Sequence, residues 1–145
     1  MRTILIATAM LLGAVACAPP RAQAYGSGVT VREILKTRTA ADGTRLVYLQ
    51  AADPELTVAE VNLAPGAETG WHHHPVPVYA YVQEGELEVR LAGGSVRTYV
   101  QGQAIAEVMQ LPHNGRNVGK GPVRLVVFYC GARGLPNVVR EPSGR

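Results

Sequence analysis

Residues 66–85 read GAETGWHHHPVPVYAYVQEG, and three of the chain's four histidines, His72, His73 and His74, stand in a row at their centre. Successive side chains of a strand point to opposite faces, so on an extended backbone His72 and His74 share one face while His73 takes the other. Imidazole is the commonest protein ligand for borderline divalent metals, and two rings on one rigid strand begin a site at low ordering cost. The same run also has a plain reading as an exposed turn. The remaining histidine, His113, follows Leu111-Pro112 at the opening of a later segment. A barrel that brought it to the same interior point would supply a third ligand.

Outward from that stretch, the chain consists of short runs rich in Val, Leu, Tyr and Thr, separated by Gly, Pro, Asn and Asp. This is the pattern of strands and turns. Strands are expected over 29–37, 44–50, 55–63, 76–82, 86–91, 96–100, 104–109 and 123–130. Ala92-Gly93-Gly94-Ser95 predicts a hairpin between two of them, because adjacent glycines permit the positive φ that tight hairpins need. Eight strands without a helical period point to an all-β sandwich or closed barrel. Pro142-Ser143-Gly144-Arg145 reads as a frayed tail.

At the N-terminus, Met1-Arg2 precedes an apolar run from Ile4 to Ala16 and then Ala22-Gln23-Ala24. A charged start, a short apolar core and an A-x-A site make a secretory signal peptide over 1–24, which leaves one domain over 25–145. The apolar run is about half of the roughly 20 residues a membrane-spanning helix needs, so the mature chain is expected to have no span. A second reading takes Ala14-Val15-Ala16-Cys17 as a lipoprotein site with a lipid anchor on Cys17, although Ala14 stands where such sites carry Leu. Either way the chain is expected in the periplasm of a Gram-negative bacterium or outside the cell. Of the 14 basic residues the leader holds Arg2 and Arg21 and none of the 11 acidic ones, so 12 face 11 in the mature chain. That near balance gives no reason to expect nucleic acid as a partner. With Cys17 in the leader, Cys130 has no intramolecular partner and reads as a small buried hydrophobe rather than a nucleophile.

Residues 66–85 resemble the first motif of the cupin superfamily, in which a glycine precedes H-x-H by five residues, a glutamate follows and a glycine closes the run. Gly66, His72, His74 and Gly85 match, while the glutamate position falls on Val78. Residues 102–117 resemble the second motif through Gly102, His113 and Asn117, with Val108 and Gln110 at its P-x-G positions. The resemblance implies a double-stranded β-helix, a jelly-roll barrel that holds one divalent metal on His72, His74 and His113. Iron, manganese, nickel, zinc and copper all suit such ligands. Three neutral histidines leave the metal's charge intact, which favours an anionic or chelating ligand. In ligand set, though not in any substrate signature, the site is similar to the thiol and diketone-cleaving dioxygenases.

Glu107 is the acid near the second motif that could replace the missing carboxylate, as a ligand or as a catalytic acid or base; a solvent-facing strand glutamate is the alternative. Glu84, Glu86 and Glu88 read as solvated, and Trp71, Tyr79 and Tyr81 as packing or interface aromatics. Two functions follow: a metal-dependent oxygenase with a small-molecule substrate, or a non-catalytic periplasmic cupin that binds a small ligand. Exposed β edges add the expectation of a homodimer. The leader reading has a direct check. N-terminal sequencing of the exported protein is expected to start at Tyr25, and a blocked, lipid-bearing Cys17 would establish the lipoprotein reading instead.

Overall fold

The computed structural model describes residues 26–142, so the expected leader, Cys17 and the last three residues of the tail lie outside the described residues. Residues 26–32 carry a turn and no strand, and a compact unit begins at Glu33. In chain order its strands are β1 (Pro54–Leu63), β2 (His72–His73), β3 (Val78–Glu84), β4 (Glu86–Leu91), β5 (Val96–Val100), β6 (Ala104–Ala106), β7 (His113–Asn117), β8 (Val123–Ala132) and β9 (Val139–Arg140). They form two antiparallel sheets, one ordered β1-β8-β3-β6 and the other β5-β4-β7-β2-β9. No helix among the described residues is long and apolar enough to cross a membrane. This is the all-β jelly-roll that the sequence implied.

Alternation builds the core. On β3, Val78, Ala80 and Val82 are buried and Tyr79 and Tyr81 lie on the other face; on β8, Val123, Leu125 and Val127 are buried and Arg124 and Phe128 are exposed. Leu63 from β1, Leu87 from β4 and Ile105 from β6 join them in one cluster between the sheets. Each such aliphatic side chain taken out of water contributes roughly 1.5–3 kcal/mol. The β4–β5 hairpin is the expected one, with Gly93 and Gly94 at φ 96 and 92 and Leu91 N donating to Ser95 O at 2.8 Å.

The strands expected over 29–37 and 44–50 do not form. Asp42-Gly43 turns the chain first, with Thr39 bridged to Arg45, and the Asp42 carboxylate accepts from both the amide and the hydroxyl of Thr44 at 2.9 and 2.6 Å. The amide of Ala41 then donates to Ala106 O at 2.9 Å, which hangs this hairpin on the edge of β6. The strand expected over 104–109 ends early because Gln110 takes φ 58 and turns the chain toward His74, whose carbonyl accepts from Gln110 N at 2.9 Å. Gln110 thus holds a left-handed backbone at the position where the family motif has glycine. Strands β7 and β9 were not foreseen, because short polar segments such as His113–Asn117 carry no apolar alternation, whereas β2 falls on the extended stretch expected at His72–His74.

Asn117, 1% exposed, closes one end of the barrel: its amide donates to Leu63 O and Gly121 O, and its oxygen accepts from Gly119 N, all at 2.9 Å. Gly85 sits at φ 86, and a Cβ there would press on the Pro122 carbonyl and on Val123. Denaturant melts should therefore show Asn117→Ala losing about 2 kcal/mol, since the buried Leu63 carbonyl and two less buried backbone groups lose their partner, and Gly85→Ala losing about 2–3 kcal/mol through strain and overlap. Gln110→Gly should gain about 0.5–1 kcal/mol, the relief of a left-handed residue less the added freedom of the unfolded chain.

Candidate metal centre

The ladder register brings the histidines together. His72 on β2 pairs directly with His113 on β7, so their side chains leave the same face as cross-strand neighbours. His74, two residues on, repeats the face and is tied by a bridge to Met109. The rings lie 4.4 to 5.0 Å apart between centroids, and one ligand atom from each falls within 4.8 Å of the others. His73 points away and contacts Glu141 at 2.7 Å.

Each converging ring has its Nδ1 against a carbonyl oxygen: Gly70 O at 2.7 Å for His72, Asn137 O at 2.8 Å for His74 and Leu111 O at 2.9 Å for His113. A carbonyl only accepts, so each Nδ1 donates, and in the neutral ring the lone pair is left on Nε2. Three lone pairs aimed at one buried point are an arrangement for a shared cation. His113 Nε2 is moreover buried with no well-formed hydrogen bond among the described residues. The donor set therefore fits a divalent metal, with the carbonyls orienting the ligands as outer partners do in metal sites.

Glu107 belongs to this point and not to solvent. Its Oε2 stands 3.3 Å from His74 Nε2 and 3.3 Å from His113 Nε2, the latter outside hydrogen-bond alignment. Its place has a simple origin. In the β3–β6 ladder Tyr79 faces Ala106, so Val78 and Glu107 face each other one step on, and Glu107 N donates to Val78 O at 2.9 Å. Opposed residues of a ladder point to the same side. The carboxylate that the family motif puts on one strand is offered here by the neighbouring strand, from the residue opposite Val78.

Charge follows geometry. Burial pushes His72 down to about 4, against the Gly70 carbonyl that favours the charged ring. Burial also disfavours charge on His113 and Glu107, but each overrides it for the other: the His113 pKa is raised by the carboxylate, and His113 and His74 hold the Glu107 carboxyl well below the usual carboxylate range. Tyr129, unmarked by the sequence reading, packs edge-on to His74 with centroids 5.7 Å apart and lines the cavity of about 60 Å³ around the site. The alternation Val123, Leu125, Val127 was the signal that would have placed it inside.

Comparison with known proteins agrees with this geometry. The cupin domain family matches residues 59–129, and the chain belongs to the cupin superfamily. An oxalate oxidase shares 28% identity over 60% of this chain and 46% of its own, with a TM-score of 0.52. An oxalate oxidase in complex with the substrate analogue glycolate shares 27% over 60% and 46%, again at 0.52. A DMSP lyase from Ruegeria pomeroyi, at 23% identity over 62% and 45% and a TM-score of 0.54, speaks to the fold alone. The chain spans about half the length of these structures. No curated protein matches it.

Removing any one of His72, His74 or His113 as alanine is expected to strip most bound metal on elemental analysis, while His73→Ala leaves it nearly unchanged. Glu107→Gln should weaken metal binding roughly 10- to 100-fold. Adding Val78→Glu to Glu107→Gln should restore it, because the carboxylate returns from the opposite strand. Protons and metal should compete for His113, because the Glu107 carboxylate favours the protonated ring. Affinity should therefore fall as pH drops below the raised His113 pKa.

Proposed function

We propose that the chain is an exported, metal-dependent oxygenase that acts on a small anionic or chelating acid at the His72, His74 and His113 centre. The observation that carries this reading is the convergence of three oriented Nε2 lone pairs, with the Glu107 carboxylate at the same buried point. A divalent metal held there would supply Lewis acidity, and iron or manganese would add redox chemistry with dioxygen.

The chain's own residues set the rest. Three neutral imidazoles cancel none of a metal's charge and Glu107 offsets one unit, so the centre keeps a net positive charge and favours an anion. Val61, Leu87, Val89, Leu125 and Val127 wall the inner cavity of about 60 Å³ with apolar surface. Such apolar walls strengthen electrostatic contacts beside them. That volume admits a ligand head of a few non-hydrogen atoms. Glu107, ionised and beside two rings, is placed to ligate the metal or to accept a hydrogen bond from a bound ligand. The likeness to oxalate oxidase, an enzyme named for a two-carbon diacid, lends support to a carboxylate head of this size. The apolar run at 4–16 and Ala22-Gln23-Ala24 support export.

Two measurements test the reading. Protein recovered from the periplasm of its host should carry close to one divalent metal per chain, and an oxygen electrode should register uptake with small 2-oxo, 2-hydroxy or dicarboxylic acids. Metal-loaded protein that binds such acids but consumes no oxygen would establish the non-catalytic ligand-binding alternative. Protein with no metal and no affinity for added metal would end both.

A further inference from the structure

A second cavity, of about 270 Å³, lies against the first and shares Glu107 with it. Its walls come from the 39–45 hairpin and the residues after it on one side, and from Pro77, Val78, Tyr79 and Met109 on the other. Met109 is bridged to His74, and Val78 lies opposite Glu107, so the chamber adjoins the residues that frame the metal-binding point. Leu46, Val47 and Met109 make its surface largely apolar.

One cation on its wall has no partner. The exposed Arg45 makes no ion pair among the described residues. The Arg45 backbone is nevertheless fixed, since Thr39 bridges it, Asp42 locks the turn beside it through Thr44, and Ala41 ties the hairpin to β6. A cation on a braced turn above an apolar chamber suits an anion held at a set distance from the metal-binding point.

We propose that this outer chamber binds the distal end of the substrate, and that the substrate is a two-headed acid. One carboxylate reaches the histidine centre past Glu107, an apolar spacer lies against Leu46, Val47 and Met109, and the second carboxylate pairs with Arg45. The inference rests on the metal-centre reading above and adds to it a length rule: the inner cavity accepts one carboxylate head, and the outer chamber selects the spacer.

The test uses the full mature chain loaded with zinc, titrated calorimetrically with straight-chain dicarboxylates from oxalate to suberate, with metal content measured on every sample. Wild type should bind a longer diacid more tightly than oxalate. Arg45→Gln should lose that preference, weakening the preferred diacid by about 10-fold or more while leaving oxalate binding and metal content unchanged. Heptanoate, which lacks the second head, should bind both proteins alike. Identical length profiles for wild type and Arg45→Gln, or an equal loss for oxalate and the longer acids, would overturn the proposal while the metal reading stands. A wild type that holds no zinc would overturn both, and the metal measurement tells the two failures apart.

Discussion

The pairing of His72 with His113 across the β2–β7 ladder is the constraint on which the rest of the site depends. It sets two polar rings side by side inside an apolar barrel, where each ring nitrogen needs a partner or incurs a desolvation cost. The backbone supplies half of that demand, one carbonyl to each Nδ1. The other half is left facing inward, where His74 and Glu107 add their own groups. The metal-binding character of the barrel is therefore a consequence of register: a slip of one residue on β2 would send His72 outward and bring His73 in.

The position of the carboxylate shows how a barrel can keep a site while its sequence motif changes. Val78 and Glu107 are opposed on neighbouring strands, with side chains on the same face. A function carried by one can pass to the other with little change in where the oxygen atoms arrive. The exchange is not neutral for the surroundings. Glu107 hangs between the inner cavity and the outer chamber, whereas a residue at 78 is buried at 2% exposure in the core cluster. The acid thus lines both cavities at once.

Stability and chemistry meet at the second motif. Asn117 uses its whole amide on backbone groups, and His113 lies four residues earlier on the same strand. The asparagine holds β7 against the loops at one end while the histidine serves the interior. Gln110, just ahead of that strand, accepts an unfavourable left-handed backbone in order to bring the chain past His74. Strain of this kind persists where the surrounding ladder fixes both ends of the turn.

The sequence by itself determined the all-β class, the β4–β5 hairpin, the inward face shared by His72 and His74, and the partnership of His113, because each follows from a period of two or from motif spacing. It marked Glu107 as the candidate acid but left its facing open, since a turn between it and His113 breaks the count. It also placed strands over 29–37 and 44–50, where β-forming residues stand beside an Asp-Gly turn that folds the chain back locally. Only the tertiary structure decided that Glu107 faces Val78 across a ladder, that Tyr129 enters the cavity and that Arg45 is held over a second one. Those facts are distances between residues far apart in the chain, fixed by which strands lie side by side, and no local pattern encodes a strand's neighbour.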